Sequence, residues 1–196
     1  SIEHLKLIED FCPDRNGTKS VFISEIADPD NDLKARFIEL YNAYENDISL
    51  QGWEMQRYTN ADTTVSSRFD LGSYTIKSNS TFVIAADAQQ FELVYGIIPD
   101  AEARGSSVAN SNGDDNLVLV NSDGKVIDIF ARIGEDGSGT DHEFEDGRAY
   151  RKSHIKEGTD IFDFEQWEIS NDSGGNGTEL KIKNAPEDYN PGIRIN

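Results

Sequence analysis

Hydrophobic and polar residues alternate along several short segments of the chain with the two-residue period of β-strands. These segments are rich in β-branched and aromatic residues, and each one ends in an acidic or Asn/Gly-rich break. The clearest segments are residues 21–26, 37–42, 52–58, 81–86, 117–120 and 126–130. The pattern therefore predicts an all-β protein, a sandwich of antiparallel strands.

Local signals place one hairpin and one short helix within this pattern. Asp123-Gly124 separates the last two strand segments, and Asp-Gly between β-rich runs is a strong hairpin signal. The helix is expected to start after Asp87, whose carboxylate can cap the first turn while Gln90 completes a capping box. Gly96 offers the left-handed exit that ends many helices.

The chain is expected to form one domain, because 196 residues suffice for a single well-filled core. We expect a lead-in segment at residues 1–20, the sandwich at 21–133, and an irregular extension at 134–196 packed on the same domain. The lead-in contains an amphipathic piece at residues 2–8. Within the extension, residues 148–152 and 166–169 are plausible strands, whereas residues 171–178 resemble a flexible linker.

The charge of the chain excludes some partners. Lys and Arg number 18 against 37 Asp and Glu, giving a formal net charge of −19 that repels phosphate backbones. We therefore expect no direct nucleic-acid binding, and a solvated acidic surface is favoured over an acidic face made for a basic partner. No apolar run approaches the length of a membrane helix, so no membrane insertion is expected. The single cysteine, Cys12, cannot form an internal disulfide.

Several of the strand phrases together resemble the lamin tail domain family. The phrases are Ser24-Glu25-Ile26, Phe37-Ile38-Glu39-Leu40-Tyr41-Asn42, Leu50-Gln51-Gly52-Trp53, Phe82-Val83-Ile84, the helix at residues 91–96, and the hairpin at residues 113–128. The resemblance covers residues 21–131. Residues 133–167 look like the variant that precedes the catalytic domain of bacterial extracellular nucleases. The resemblance implies an immunoglobulin-like β-sandwich with one short helix, and it carries over no catalytic or ligand residue.

The resemblance also implies a function and a location. It implies a non-catalytic binding or anchoring module of a secreted or cell-surface bacterial protein, in contact with a protein or surface partner. Two alternatives stay open: a calcium-dependent adhesion module, and an accessory part of an extracellular nuclease or other hydrolase. The full-length parent protein could carry the nuclease domain, and no cofactor is expected other than calcium.

Three aspartates are the candidate metal ligands. Asp28, Asp30 and Asp32 lie on a turn-rich segment, and hard cations favour carboxylate clusters on loops. The segment departs from the EF-hand template because Leu33 stands where that loop needs glycine. A looser calcium site therefore remains an alternative to an acidic, solvated turn.

Glu25 and Glu39 occupy corresponding positions in two early strands and are expected to lie side by side. Such a pair could raise the pKa of one carboxyl group, as in an acid/base pair. The favoured interpretation is structural, with each glutamate paired with a base such as Arg36 or Arg132 or accepting loop N–H bonds. An enzyme would instead need acids such as Glu25, Glu39 or Asp128 to converge in a pocket.

Asp141-His142-Glu143 contains residue types that bind zinc or move protons. Zinc catalysis normally needs three convergent ligands with rigid support, which a Gly-rich loop does not supply. We therefore expect His142 to be an exposed loop residue.

Overall fold

The structure is a computed structural model that describes residues 16–194 of the chain. The amphipathic piece at residues 2–8 and Cys12 lie outside the described residues, as does most of the lead-in segment.

The described residues include thirteen strands, one α-helix and three 3-10 helices, which turns and loops connect. The strands are β1 (Val21–Ala27), β2 (Phe37–Asn42), β3 (Ile48–Ser49), β4 (Glu54–Tyr58), β5 (Ser67–Asp70), β6 (Thr75–Ile76), β7 (Ser80–Ala85), β8 (Ala101–Glu102), β9 (Asn116–Val120), β10 (Val126–Phe130), β11 (Arg148–Arg151), β12 (Trp167–Asn171) and β13 (Glu179–Leu180). The helices are α1 (Ala88–Tyr95) and the 3-10 turns Thr18–Ser20, Leu33–Ala35 and Phe164–Gln166.

Two main sheets pack face to face around one large core. A seven-stranded sheet has the order β13-β12-β11-β1-β2-β7-β8, and a four-stranded sheet has the order β10-β9-β4-β5. Alternate residues of both sheets point inward, among them Ile23, Ile38, Met55 and Leu119, each fully buried. The β-sandwich predicted from the alternation is confirmed, with antiparallel pairs except for β7–β8 and β12–β13, and so is the immunoglobulin-like architecture that the family resemblance implies.

The local signals for the hairpin and the helix are also confirmed. β9 and β10 pair as an antiparallel hairpin. The Asp87 side chain accepts a hydrogen bond from the Gln90 N–H at the start of α1, and Gly96 ends the helix at φ 71°. The second half of the predicted capping box differs, because the Gln90 side chain donates to Asp32. Gly96 suits this position because residues without a β-carbon adopt positive φ readily.

A second, smaller apolar cluster lies on the outer face of the seven-stranded sheet. There α1 and residues 184–194, which we call the C-terminal strap, cover β1, β2 and β7. Phe37 from β2 makes edge-to-face contacts with Phe91 and Tyr95 of α1 and with Tyr189 of the strap. The Tyr189 hydroxyl also donates to the Gly147 carbonyl, so aromatic packing and hydrogen bonding both hold the strap on the sheet.

Residues beyond 134 supply three strands of the larger sheet. β11 pairs antiparallel with β1, and Glu25 lies opposite Tyr150 in that ladder. Residues 171–178, which resemble a linker in sequence, are tied to the sheet by Asn171. Its side-chain amide donates to the Glu143 carbonyl and to Thr178 Oγ1, and its Oδ1 accepts the Gly174 N–H.

Within residues 16–194, no helix combines the length and the apolar character needed to cross a membrane.

Candidate functional site

Glu25 and Glu39 lie next to each other on the outer face of the seven-stranded sheet, as predicted. They are direct partners in the β1–β2 ladder, and both are fully buried. The ladder shifts register between Ile23 and Glu25, so Ser24 is the extra residue of a bulge. Bulges re-aim side chains, and this one turns Ser24 Oγ toward Glu39 Oε1 at 2.7 Å.

Glu39 is held by hydrogen bonds at both carboxylate oxygens. Ser24 donates to Oε1, and the Gly192 N–H of the C-terminal strap donates to Oε2 at 2.8 Å. Arg194 follows on the strap and donates to the carbonyls of Arg151 and Lys152. The buried glutamate therefore helps to fix the strap on the sheet.

Glu25 has a different environment. Arg148 of β11 places its Nε 2.6 Å from Glu25 Oε1, but its N–H does not point at the oxygen, and neither Glu25 oxygen receives a hydrogen bond. Burial raises the pKa of Glu25 to about 8 despite the opposing attraction of Arg148, and the neighbouring Glu39 adds to the rise. Burial also raises the pKa of Glu39, against its hydrogen bond from Ser24.

The prediction of Arg36 or Arg132 as the basic partner of these glutamates is wrong, whereas the alternative, a loop N–H donor, is confirmed for Glu39. Arg36 pairs with Asp28 through its Nε at 2.6 Å, and Arg132 pairs with Asp141 at 2.7 Å. The base beside Glu25 comes instead from β11, which lies more than 100 residues away in the chain. No local sequence signal connects β1 with β11, so this partner could not be predicted.

Asp128 of β10 forms a second buried charge centre, which joins the two sheets. Asp128 and Arg151 of β11 are both fully buried and form an ion pair. Asp128 also accepts the Ile23 N–H at 2.8 Å and the Thr159 N–H at 2.9 Å. The Arg151 guanidinium lies 4.2 Å from the centre of the Trp167 ring. Burial raises the pKa of Asp128 even though Arg151 opposes the change.

These acids form two separate structural centres. Glu39 and Asp128 each accept hydrogen bonds at both oxygens from neighbouring chain segments. Glu25 holds a proton more readily than an exposed glutamate, but it lies under α1 and the C-terminal strap with no exposed surface. Glu39 and Asp128 therefore stabilise the packing of strands through their hydrogen bonds, and the carboxyl groups of Glu25, Glu39 and Asp128 are all buried away from a dissolved substrate.

The three candidate metal ligands perform separate tasks. Asp28 is buried, and its oxygens accept from Arg36 Nε and from the Asp146 N–H. Asp30 is exposed, whereas Asp32 caps the 3-10 turn at Leu33–Ala35 by accepting the Lys34 N–H.

A different set of three carboxylates lies close together. Glu143, Glu145 and Asp172 each offer an oxygen, and these oxygens lie within 4.8 Å of one another. Glu143 also accepts from Ser173 Oγ at 2.8 Å. Burial raises the pKa of Glu145, and the charge of Asp172 adds to this rise. The i, i+2 spacing of Glu143 and Glu145 was a visible signal, but their meeting with Asp172 depends on the tertiary fold.

The expectation that His142 is exposed is wrong. His142 is fully buried and packs edge-on against Phe162, with ring centres 5.7 Å apart. Its Nδ1 lies 3.3 Å from Asp141 Oδ1. Burial lowers the pKa of His142, because an apolar surrounding disfavours the charged imidazolium.

Comparison with known families agrees with this architecture. The sequence model of the Lamin Tail Domain family matches residues 15–134, which is more than half of the chain and includes β1 to β10. A comparison with curated proteins gave no significant match. The matched segment contains the β1–β2 ladder, α1 and the β9–β10 hairpin. The chain therefore belongs to the Lamin Tail Domain family.

Proposed function

We propose that this chain is a non-catalytic binding or anchoring module of a secreted or cell-surface bacterial protein. It contacts a protein or surface partner and is an accessory to other parts of its parent protein, such as a nuclease or another hydrolase domain. Membership of an immunoglobulin-like family supports a role in protein contact. The engagement of Glu39 and Asp128 in structural hydrogen bonds agrees with a role that needs no turnover.

An exposed apolar patch carries this proposal. Leu93 of α1 is 76% exposed, and Ile98, just after the helix, is 77% exposed. Ile97 lies beside Gly192 of the C-terminal strap, and the next strap residue, Ile193, is 58% exposed. Large aliphatic side chains exposed within and just after one helix and at the adjoining strap favour contact with another protein.

The patch can be tested by retention on the cells that produce the protein. We expect the Leu93→Ser/Ile98→Ser variant to be retained about tenfold less than the wild type, because it loses two aliphatic contacts. Ile161→Ser is the matched control, since Ile161 is 74% exposed on another part of the surface. Equal retention of all three proteins would contradict the proposal. Hydrolysis of nucleic acid or glycan by the wild type, abolished in Glu25→Gln, would favour an enzyme instead.

The calcium-dependent alternative is separated from this proposal by thermal unfolding. We expect calcium to leave the melting temperature unchanged, because Asp28 is engaged by Arg36 and Asp32 caps a turn. A site filled at 100 times its dissociation constant would add about 2.7 kcal/mol, which a melting curve resolves. A calcium-induced rise that Asp30→Asn abolishes would support the alternative. A rise abolished by Glu145→Gln would place the ion at the other carboxylates.

A further inference from the structure

A groove crosses the outer face of the seven-stranded sheet beside the C-terminal strap. It has a volume of about 360 Å³ and spans β11, β12 and β13. Arg148, Tyr150 and Lys152 follow one another at alternate positions and line one side. Glu179 lines the opposite side from the edge strand β13, and Phe164 also contributes to the lining.

The groove gathers positive charge in a chain that is otherwise acidic. Arg148, Lys152 and Lys183 line it, and Lys181 lies close to Lys183. Lys152, Lys181 and Lys183 form no ion pair within 4.0 Å among residues 16–194. This is unusual in a chain whose full sequence holds 37 acidic and 18 basic residues. Two glutamates also line the groove, but Glu168 and Glu179 are exposed and can turn toward water.

The basic groups of the groove are only partly compensated by neighbouring acids, namely Asp188 near Lys183 and Glu25 beside Arg148. Burial lowers the pKa of Lys183, and the neighbouring Lys181 lowers it further. Arg148 stands beside Glu25, whose pKa of about 8 leaves that carboxyl group mostly neutral at pH 7. The charge of Arg148 is therefore only partly balanced from inside the protein, and it adds to the positive potential of the groove.

We propose that this groove binds a short, extended peptide segment that carries carboxylate side chains. Lys152 and Lys183 would meet the carboxylates, while Tyr150 and Phe164 would contact the apolar parts of the segment. This inference rests on the proposed function and names the chemistry of one partner.

The overall charge of the chain selects a short acidic segment over a long polyanion. A nucleic acid or an anionic membrane extends far beyond the groove and would be repelled by a chain whose formal net charge is −19. The Debye length is about 8 Å at physiological salt, so a short segment seated in the groove interacts mainly with the nearby cations. The Arg148 guanidinium already donates to the Asp188 carbonyl and to Asn190, which leaves the lysine ammonium groups as the main anchors.

The proposal is tested with a fluorescent peptide, acetyl-Gly-Glu-Val-Glu-Val-Glu-Gly, and its Gln counterpart. We expect the Glu peptide to bind the wild type and the Gln peptide to bind about tenfold more weakly or not at all. Lys152→Glu/Lys183→Glu should weaken Glu-peptide binding by at least about tenfold. Lys34→Glu/Lys125→Glu changes the net charge equally at exposed sites elsewhere and should retain binding within about twofold.

Three outcomes would overturn the proposal: no binding of the Glu peptide, equal binding of the two peptides, or equal loss in the two double variants. Sedimentation should show that the wild type is a monomer. Self-association of the wild type that is lost only in Lys152→Glu/Lys183→Glu would instead identify an acidic loop of a second copy as the occupant of the groove. The proposed function and the role of the groove can fail separately. If retention on cells depends on Leu93 and Ile98 but not on Lys152 and Lys183, the proposed function stands and the groove has no part in it.

Discussion

Lowering the pH from 8 to 5.5 is expected to stabilise the folded protein. The pKa of Glu25 is raised from 4.5 to about 8, mainly by burial, so the folded state binds this proton more tightly than the unfolded chain does. Between these two values the folded state holds more protons, and the free energy of unfolding therefore falls as the pH rises. The contribution of Glu25 is on the order of 3 kcal/mol between pH 5 and pH 8.

Other titrating groups also contribute to the pH dependence of the free energy of unfolding. Burial raises the pKa of Asp28, Glu39 and Asp128, so these groups act in the same direction as Glu25. Hydrogen bonds lower the pKa of Asp136 and Asp141, whose stabilising effect is lost only as the pH falls through their lowered pKa values. Burial lowers the pKa of His142, so this imidazole opposes the trend between pH 6.5 and its lowered pKa. The raised pKa values of several carboxyl groups outweigh this single group, and the maximum of stability is therefore expected at mildly acidic pH.

Urea unfolding at pH 5.5, 7 and 8 measures this dependence. Glu25→Gln should be more stable than the wild type at pH 8, because the neutral amide avoids the buried negative charge that Glu25 acquires when it ionises. The free energy of unfolding of this variant should also depend less on pH, since the substituted side chain does not titrate. Glu92→Gln, on the exposed side of α1, is the control and should keep the wild-type profile. Stability that rises from pH 5.5 to pH 8 would contradict our assignment, as would identical profiles for Glu25→Gln and the wild type.

Removing either partner of the Asp128–Arg151 pair is expected to destabilise the fold strongly. Asp128→Ala leaves the Arg151 guanidinium buried without its counter-ion and also removes the acceptor for the Ile23 and Thr159 N–H groups. The expected loss is about 3–5 kcal/mol. Asp128→Asn should lose less, since an amide oxygen still accepts one of the two hydrogen bonds.

The control for this pair is an ion pair on the surface. Asp47 and Lys77 form an exposed pair at 2.8 Å, and Asp47→Asn should leave the urea midpoint nearly unchanged because solvent screens exposed charges. If Asp47→Asn and Asp128→Asn lower the urea midpoint by similar amounts, burial does not determine how much these charges contribute to stability.

Local sequence rules predicted the parts of the fold that depend on near neighbours. The β9–β10 hairpin and the capped helix α1 each follow from residues fewer than ten positions apart. The neighbouring positions of Glu25 and Glu39 followed from the matching phrases of β1 and β2. The short strands β5, β6 and β8 were missed because two to four residues carry too little alternation to separate a strand from a loop.

The remaining features depend on contacts between distant parts of the chain. The pairing of β1 with β11 joins Glu25 to Tyr150, and no local pattern specifies a register over that separation. The same pairing brings Arg148 to Glu25 and places Arg151 beside Asp128. The burial of His142 likewise depends on the packing of Phe130 and Phe162 around its loop.

The charges inside this sandwich act together to hold its two sheets, and a double-mutant cycle on Asp128 and Arg151 tests this coupling most directly. We predict that Asp128→Ala and Arg151→Met each lower the free energy of unfolding measured in urea. The loss in the double variant should be smaller than the sum of the two single losses by about 2–3 kcal/mol. Losses that add without any coupling would contradict the claim.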